Sequence, residues 1–267
     1  MSENKWFETN KESWNKRVAP HFDSKMYDVE SFKSGRSSLN DLEVGEVGNV
    51  AGKSLLHLQC HFGQDTMSWQ RMGAHCTGVD ISDEAIDKAR QLNSELGLDC
   101  EFICTNVYDL DQHTDKQFDI IFTSYGTITW LPDLNRWAAL LNRFLKPGGT
   151  FYIAEFHPMI WTLDDNYETF GYDYFNRQAN LHHATGTYTD ANAPIEYDSY
   201  WWNHPLSEVQ SALLQQKFKL VSIAEHDYSN YDCLPGMEEF SPGKYRFKKL
   251  RNTIPYMYSM KWVKPEA

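Results

Sequence analysis

Long apolar runs are missing from this chain. No stretch approaches the roughly 18 residues that a helix needs to cross a bilayer. The first ten residues, Met1 to Asn10, alternate charged and polar side chains and carry no apolar stretch of the kind an export signal needs. Cysteine is scarce: Cys60, Cys76, Cys100, Cys104 and Cys233 are odd in number and show no CxxC spacing. That pattern argues against a disulfide framework and offers no structural zinc site, so the thiols read as reduced and the protein as cytoplasmic. Positive charge is in deficit, with 25 basic against 37 acidic residues, a formal net charge of -12 and a pI near 5.2. Such a surface repels polyphosphate, so nucleic acid is not an expected partner. The densest basic run, Lys244 to Arg251, reads as a solvated face. Internal repeats and low-complexity linkers are absent as well.

What the chain does contain is a core. Hydrophobic residues make up 41% and charged residues 23%, which excludes general disorder. A folded chain of this size buries roughly 70–75% of the surface it exposes unfolded. Aromatics reach 15%, with nine Trp and fifteen Tyr, and this surplus must pack a core or line a pocket.

Short apolar runs alternate with helical patterns through the middle of the sequence. Ser54 to Gln59, Cys76 to Asp80, Cys100 to Cys104, Phe118 to Thr123 and Thr150 to Glu155 read as buried strands. Between them, Gln64 to Met72 reads as a helix stopped by Gly73. Ser82 caps a second helix with apolar residues at Ala85, Ala89, Leu92 and Leu96. Asp133 caps a third, with Leu134, Trp137, Leu141 and Phe144 on one face, broken by Lys146-Pro147-Gly148-Gly149. The rhythm predicts an α/β fold with a doubly wound, mostly parallel sheet, whose ligand sits at the carboxyl ends of the strands.

The flanks differ. Residues 1–50 read as short helices forming an N-terminal helical lid, and residues 51–156 as the α/β core. The 48 residues 157–204 hold eleven aromatics, seven acidic residues and one Arg, and read as an aromatic insertion over the carboxyl edge of the sheet. Residues 205–267 read as a helix opened by a Ser207–Gln210 capping box, then strands at Phe218 to His226 and Pro255 to Val263. These two strands close the sheet as an antiparallel edge pair.

Two features point to a nucleoside. The turn Leu58-Gln59-Cys60-His61-Phe62-Gly63 lies between a strand and a helix, where a glycine turn opens a nucleoside site, although Gly63 is its one glycine. Asp80 ends the next strand, where a carboxylate can accept hydrogen bonds from both ribose hydroxyls. It can equally serve the helix that begins after Ser82. His57 and His61 lie four residues apart, but with no carboxylate or third His nearby no metal is expected. His182-His183 reads as an exposed pair in a loop.

Leu55-Leu56-His57-Leu58-Gln59-Cys60-His61-Phe62-Gly63, Gly78-Val79-Asp80-Ile81-Ser82, Phe118-Asp119-Ile120-Ile121-Phe122 and Leu145-Lys146-Pro147-Gly148-Gly149 resemble the ordered motifs of class I S-adenosylmethionine-dependent methyltransferases. The resemblance covers residues 50–156, with a typical helix-strand ending near 205–226. The first motif departs from the family pattern: His57 replaces the usual acidic residue, and Gln59 and His61 replace two glycines. In this it resembles a divergent bacterial branch with a Leu-Gln-Cys-His-Phe-Gly loop.

The resemblance implies a Rossmann-like seven-stranded sheet and S-adenosylmethionine as cofactor, with S-adenosylhomocysteine as product. Gln59, Cys60, His61 and Gly63 would border the methionine and ribose, and Asp80 would hold the ribose diol. Ile81 would pack on the adenine, which Asn106 would read with Val107 beside it. Ser124 would face the methionine carboxylate or the acceptor, and Tyr27 would close the site. Methyl transfer would be an in-line displacement in which alignment supplies most of the acceleration. Where the nucleophile arrives protonated, His157, just past the fifth strand, is the candidate base. Tyr125, Trp130, Tyr200, Trp201 and Trp202 are candidates for the acceptor pocket, and each is also an ordinary core residue by type. The expected activity is methylation of a small molecule by a monomer or homodimer, away from membranes. RNA or protein methylation, nicotinamide-dependent oxidoreduction and non-catalytic cofactor binding are the rival readings.

Overall fold

A computed structural model gives the fold and describes residues 3–175 and 178–266. The chain opens with three helices, α1 (Glu3–Phe22), α2 (Val29–Lys33) and α3 (Asp41–Val47). Alternating elements follow: β1 (Ser54–Leu58), α4 (Gln64–Arg71), β2 (His75–Asp80), α5 (Asp83–Glu95), β3 (Glu101–Cys104), β4 (Phe118–Ser124), α6 (Leu134–Phe144) and β5 (Leu145–Phe156). The rest comprises β6 (Asn180–Thr185), β7 (Glu196–Trp201), α7 (Leu206–Gln215), β8 (Lys219–His226), β9 (Met237–Ser241), β10 (Lys244–Phe247) and β11 (Met257–Val263).

Seven strands form one sheet in the order β3-β2-β1-β4-β5-β11-β8. The first five are parallel, and β11 runs antiparallel to both β5 and β8. Alternation along each strand sends its side chains to opposite faces. Leu56, Ile121 and Ile153 join Trp137 and Trp262 on one face; Leu55, Phe122 and Tyr152 join Trp69 on the other. Both faces are covered by helices. The strands therefore read in sequence as unbroken apolar runs, which is why they are visible there.

Caps behave as their chemistry dictates. Ser82 Oγ accepts the Ala85 N–H, and Asp133 accepts those of Asn135 and Arg136. Three expectations need correction. The helix after His204 starts at Leu206 behind Pro205 with no side-chain cap, so Ser207 and Gln210 form no capping box. Lys146 to Gly149 does not precede the fifth strand but lies within it as a bulge: Phe118 pairs with Leu145, then Ile120 with Thr150. His182 and His183 lie on β6 rather than in a loop, and His183 faces out toward Asp198 at 2.8 Å and Glu196 at 3.0 Å.

Within 157–204 the aromatic stretch contains a hairpin, β6 paired with β7, that lies against α1. Asn10 on α1 joins the two: its Nδ2 donates to the Tyr200 carbonyl at 2.9 Å, and its Oδ1 accepts the Tyr200 N–H at 2.7 Å. The carboxamide thus completes the open edge of β7 as a neighbouring strand would. No helix among the described residues is long and apolar enough to cross a membrane, and all five cysteines are free.

Asn10 is 4% exposed, so Asn10→Ala would remove both of these buried hydrogen bonds. The expected loss is roughly 1–3 kcal/mol of unfolding free energy. Urea titration of the variant checks it; an unchanged midpoint would show that the clamp carries nothing.

Candidate active site

The site grows from one bend. At the carboxyl end of β1 the chain enters the left-handed region at Gln59 (φ 56°), His61 (φ 51°) and Gly63 (φ 77°). Gly63 has a second constraint. A Cβ there would lie 2.6 Å from the Phe102 ring, and one at Gly78 would lie 2.8 Å from the same ring. Close packing against the Phe102 ring therefore demands glycine at both positions, and at Gly63 the backbone angle demands it as well. The positive φ of Gln59 and His61 costs energy for residues with a Cβ, and hydrogen bonds hold both in place. The His61 N–H donates to Asp80 Oδ2 at 2.8 Å, and Gln59 Nε2 donates to the Thr127 carbonyl at 2.8 Å.

Asp80 ends β2 and is 9% exposed. Its Oδ1 accepts the Ser82 N–H at 2.9 Å. Each oxygen thus takes one backbone donor and keeps lone-pair capacity for another. Burial raises its pKa to about 6, against the pull of those N–H groups toward the charged form.

The bend and Asp80 open on a cavity of about 1130 Å³. Tyr27, Gln59, Cys60, His61, Gly63, Asp80, Ile81, Asn106, Val107 and Ser124 all line it, as do Tyr125, Trp130 and Trp201. Asn106 Oδ1 caps the short turn that follows by accepting the Tyr108 N–H at 3.1 Å. The Tyr27 hydroxyl meets that of Tyr188 at 2.6 Å, which ties the N-terminal segment to the loop between β6 and β7. His57 turns toward α4 and meets Thr66 Oγ1 at 2.8 Å, so the bend is not closed by its own imidazole pair.

Three candidates lie elsewhere. His157 is buried outside the cavity; its Nδ1 accepts the Met159 N–H at 3.1 Å, and its Nε2 lies 2.9 Å from Glu225. The turn after β5 consumes this imidazole, and burial lowers its pKa. Tyr200 sits on the Asn10 clamp, its ring 6.4 Å from that of Trp6. Trp202 packs edge-on to Trp6 at 5.2 Å and borders a separate small void. Residues alternate along β7, so Trp201 turns to the cavity and its two neighbours turn away.

Sequence reasoning missed two groups. Glu155 ends β5 fully buried, and its carboxylate accepts the N–H groups of Gly126, Thr127 (2.7 Å), Ile128 (3.2 Å) and Phe156 (2.7 Å). It shapes the loop that carries Tyr125 (φ 51°) and Trp130 into the cavity wall. Nothing in its immediate sequence distinguishes it from a strand end. The second group is on α1, where Trp14 and Arg17, three residues apart and hence on one helix face, reach the same cavity.

The cavity is acidic on balance. Asp65 lines it with its carboxyl raised by burial, while Ser38 Oγ donates to it at 2.6 Å. Glu43, fully buried nearby, is raised to about 7 by burial. His21 (about 2) and His61 (about 3) are held neutral by burial, and Arg17 opposes their protonation further.

Comparison with known proteins agrees with this geometry. Residues 56–153 match the family model described as "Methyltransferase domain". A ubiquinone biosynthesis O-methyltransferase of Xanthomonas oryzae is 25% identical over 222 residues, 79% of this chain and 90% of that protein. The Pseudomonas syringae enzyme of the same name is 27% identical over 133 residues, and that match spans 49% of this chain and 57% of the Pseudomonas protein. Among solved structures, a putative S-adenosylmethionine dependent methyltransferase from Listeria monocytogenes superposes with a TM-score of 0.58 at 15% identity, over 84% of this chain and 98% of the other. The DhpI–SAH complex gives 0.59 at 15% identity over the full length of both.

Replacing Glu155 by Ala would leave four buried N–H groups without an acceptor. The expected loss is roughly 3–5 kcal/mol, or on the order of 10 °C in Tm for a chain of this length. Thermal denaturation followed by Trp fluorescence checks it. A variant that melts with the parent would remove Glu155 from the site's framework.

Proposed function

We propose that this class I S-adenosylmethionine-dependent methyltransferase acts on a small-molecule acceptor bound beside the cofactor in the cavity above β1, β2 and β4. The observation that carries the reading is Asp80: a cavity-facing carboxylate, oriented by the N–H groups of His61 and Ser82, with acceptor capacity left for a sugar diol. Size supports it too. Clefts for drug-sized ligands run to roughly 300–1,000 Å³, so about 1130 Å³ has room for a nucleoside cofactor and a second small molecule.

The residues present fit the cofactor. Asp80 would hold the ribose hydroxyls, and Ile81 and Val107 would give the adenine an apolar bed. Asn106 Oδ1 would keep one lone pair for the amino group after capping its own turn. The acidic wall around Asp65 favours a ligand with sulfonium and ammonium charges. When bound, S-adenosylmethionine supplies an electrophilic methyl group. The chain's own work is alignment: Gln59 and Glu155 fix the loops at the ends of β1 and β4, while Tyr27 and the segment after β6 cover the opening. With His157 committed to its turn, no imidazole from the fifth strand reaches the acceptor.

The names of the relatives support a small acceptor, and the acidic surface argues against RNA. A nicotinamide reading is not favoured, since the bend has one glycine where a pyrophosphate needs close backbone approach. In this reading residues 1–50 and 157–204 jointly roof the site, and the five free thiols suit a cytoplasmic protein.

Calorimetric titration with S-adenosylhomocysteine tests the reading. Saturable binding is expected, and Asp80→Asn should weaken it roughly 100-fold, from two hydrogen bonds to a charged group at about 1.5 kcal/mol each. No binding to the parent protein would overturn the assignment. The pH dependence carries a sign. The free carboxyl titrates at about 6 and binding selects its ionised form. Affinity should therefore be level above pH 6 and fall by up to tenfold per unit below it, and Asp80→Asn should flatten that fall.

A further inference from the structure

Arg17 is a cation without an anion. It is 6% exposed, and its Nε is buried with no hydrogen-bond partner. Among the described residues no carboxylate forms an ion pair with it. Its guanidinium lies instead among rings: 4.2 Å from the centroid of Tyr197, 4.7 Å from Trp14 and 5.4 Å from Trp130. These contacts favour a cation, but a desolvated charge costs several kcal/mol unless paired and hydrogen-bonded. Burial accordingly lowers its pKa, with the Tyr197 hydroxyl foremost among the groups opposing that. The nearby imidazoles of His21 and His61 are neutral and offer no negative charge.

The box is built rather than accidental. Trp130 is pinned by its Nε1 donating to the Gly126 carbonyl at 2.6 Å, on the loop that Glu155 holds. Trp14 stands edge-on to Trp130 at 5.5 Å and to His61 at 5.4 Å. Arg17, Trp14, Trp130 and Tyr197 all line the cavity, so an anion can reach the guanidinium from inside it.

We propose that Arg17 selects the acceptor: it pairs with a carboxylate carried by that molecule, whose body packs against Trp14, Trp130 and Tyr197. This rests on the methyltransferase reading. Three features give the chemistry. A single planar fork matches a carboxylate in a bidentate pair. Among the described residues no second cation stands beside it, so it balances one negative charge; Arg36, the other described arginine on the cavity, faces Asp28 at 3.8 Å. Arg17 stands under the roof made by α1 and β7, whereas Asp80 marks the nucleoside's place at the sheet edge.

Tryptophan fluorescence titration with benzoate and its neutral isostere benzamide tests the proposal, on the free protein and with saturating S-adenosylhomocysteine. Benzoate should bind at least tenfold tighter than benzamide in both states. Arg17→Gln should erase the preference and Arg17→Lys should keep part of it. Equal binding of the two probes by the parent, or a preference that survives in Arg17→Gln, overturns the proposal. The cofactor also carries a carboxylate, so a second arm compares S-adenosylhomocysteine with 5′-methylthioadenosine, which lacks the amino-acid end. Arg17→Gln should bind both as the parent does. Selective weakening of S-adenosylhomocysteine would give the guanidinium to the cofactor and overturn the proposal. Failure of the parent to bind either nucleoside would instead sink the methyltransferase reading, while the benzoate arm on free protein would still decide Arg17. Removing an unpaired buried cation should leave Tm unchanged or higher in Arg17→Gln. A large fall would mark Arg17 as a packing element and overturn the proposal.

Discussion

The hydrogen bond from the His61 N–H to Asp80 holds the site together. It joins the bend after β1 to the end of β2, beside the Cys60 N–H that donates to the Val79 carbonyl at 2.9 Å. The bend places two residues that carry a Cβ in the left-handed region, where glycine is at home. Such a conformation persists only when its surroundings enforce it. Asp80 at the end of β2 and the Thr127 carbonyl on the loop after β4 supply that enforcement. The bend then leaves open the space into which Asp80 faces.

The carboxyl edge of the sheet uses the same device twice, with different outcomes. Asp80 and Glu155 both end strands, are buried, and accept backbone N–H groups from an adjacent loop. Glu155 takes donors from four residues and is sealed from the cavity; it shapes a wall. Asp80 takes two and borders the cavity, so it retains capacity for a ligand. Burial raises both carboxyls and the N–H groups pull them back. The number of donors already spent separates the carboxylate that only shapes the wall from the one with acceptor capacity left on the cavity.

Over this edge the roof comes from two distant parts of the chain. Asn10 binds α1 to β7, and Tyr27 meets Tyr188. The roof gives the cavity Trp14, Tyr197 and the Arg17 guanidinium, while Asp65 and Asp80 come from the floor.

The parallel core was legible because its strands are buried on both faces and leave continuous apolar runs between capped helices. The hairpin β6–β7 was not, because half its residues face solvent and its Asn, His, Asp and Ser break the strand signal. Asp80 could be named from its place at the end of a strand, and Asn106 from the family resemblance; both line the cavity. His157 could not be judged that way: its place after β5 is right for a base, but a turn N–H takes its Nδ1 and its Nε2 lies 2.9 Å from Glu225, outside the cavity. Sequence alone settled the sheet, its carboxyl edge and the residues on it, because local periodicity and right-handed crossovers leave few ways to assemble them. Which side chains beyond that edge share one cavity, and that Arg17 stands there with no counter-ion among the described residues, was decided by contacts between residues more than a hundred positions apart, which no local pattern encodes.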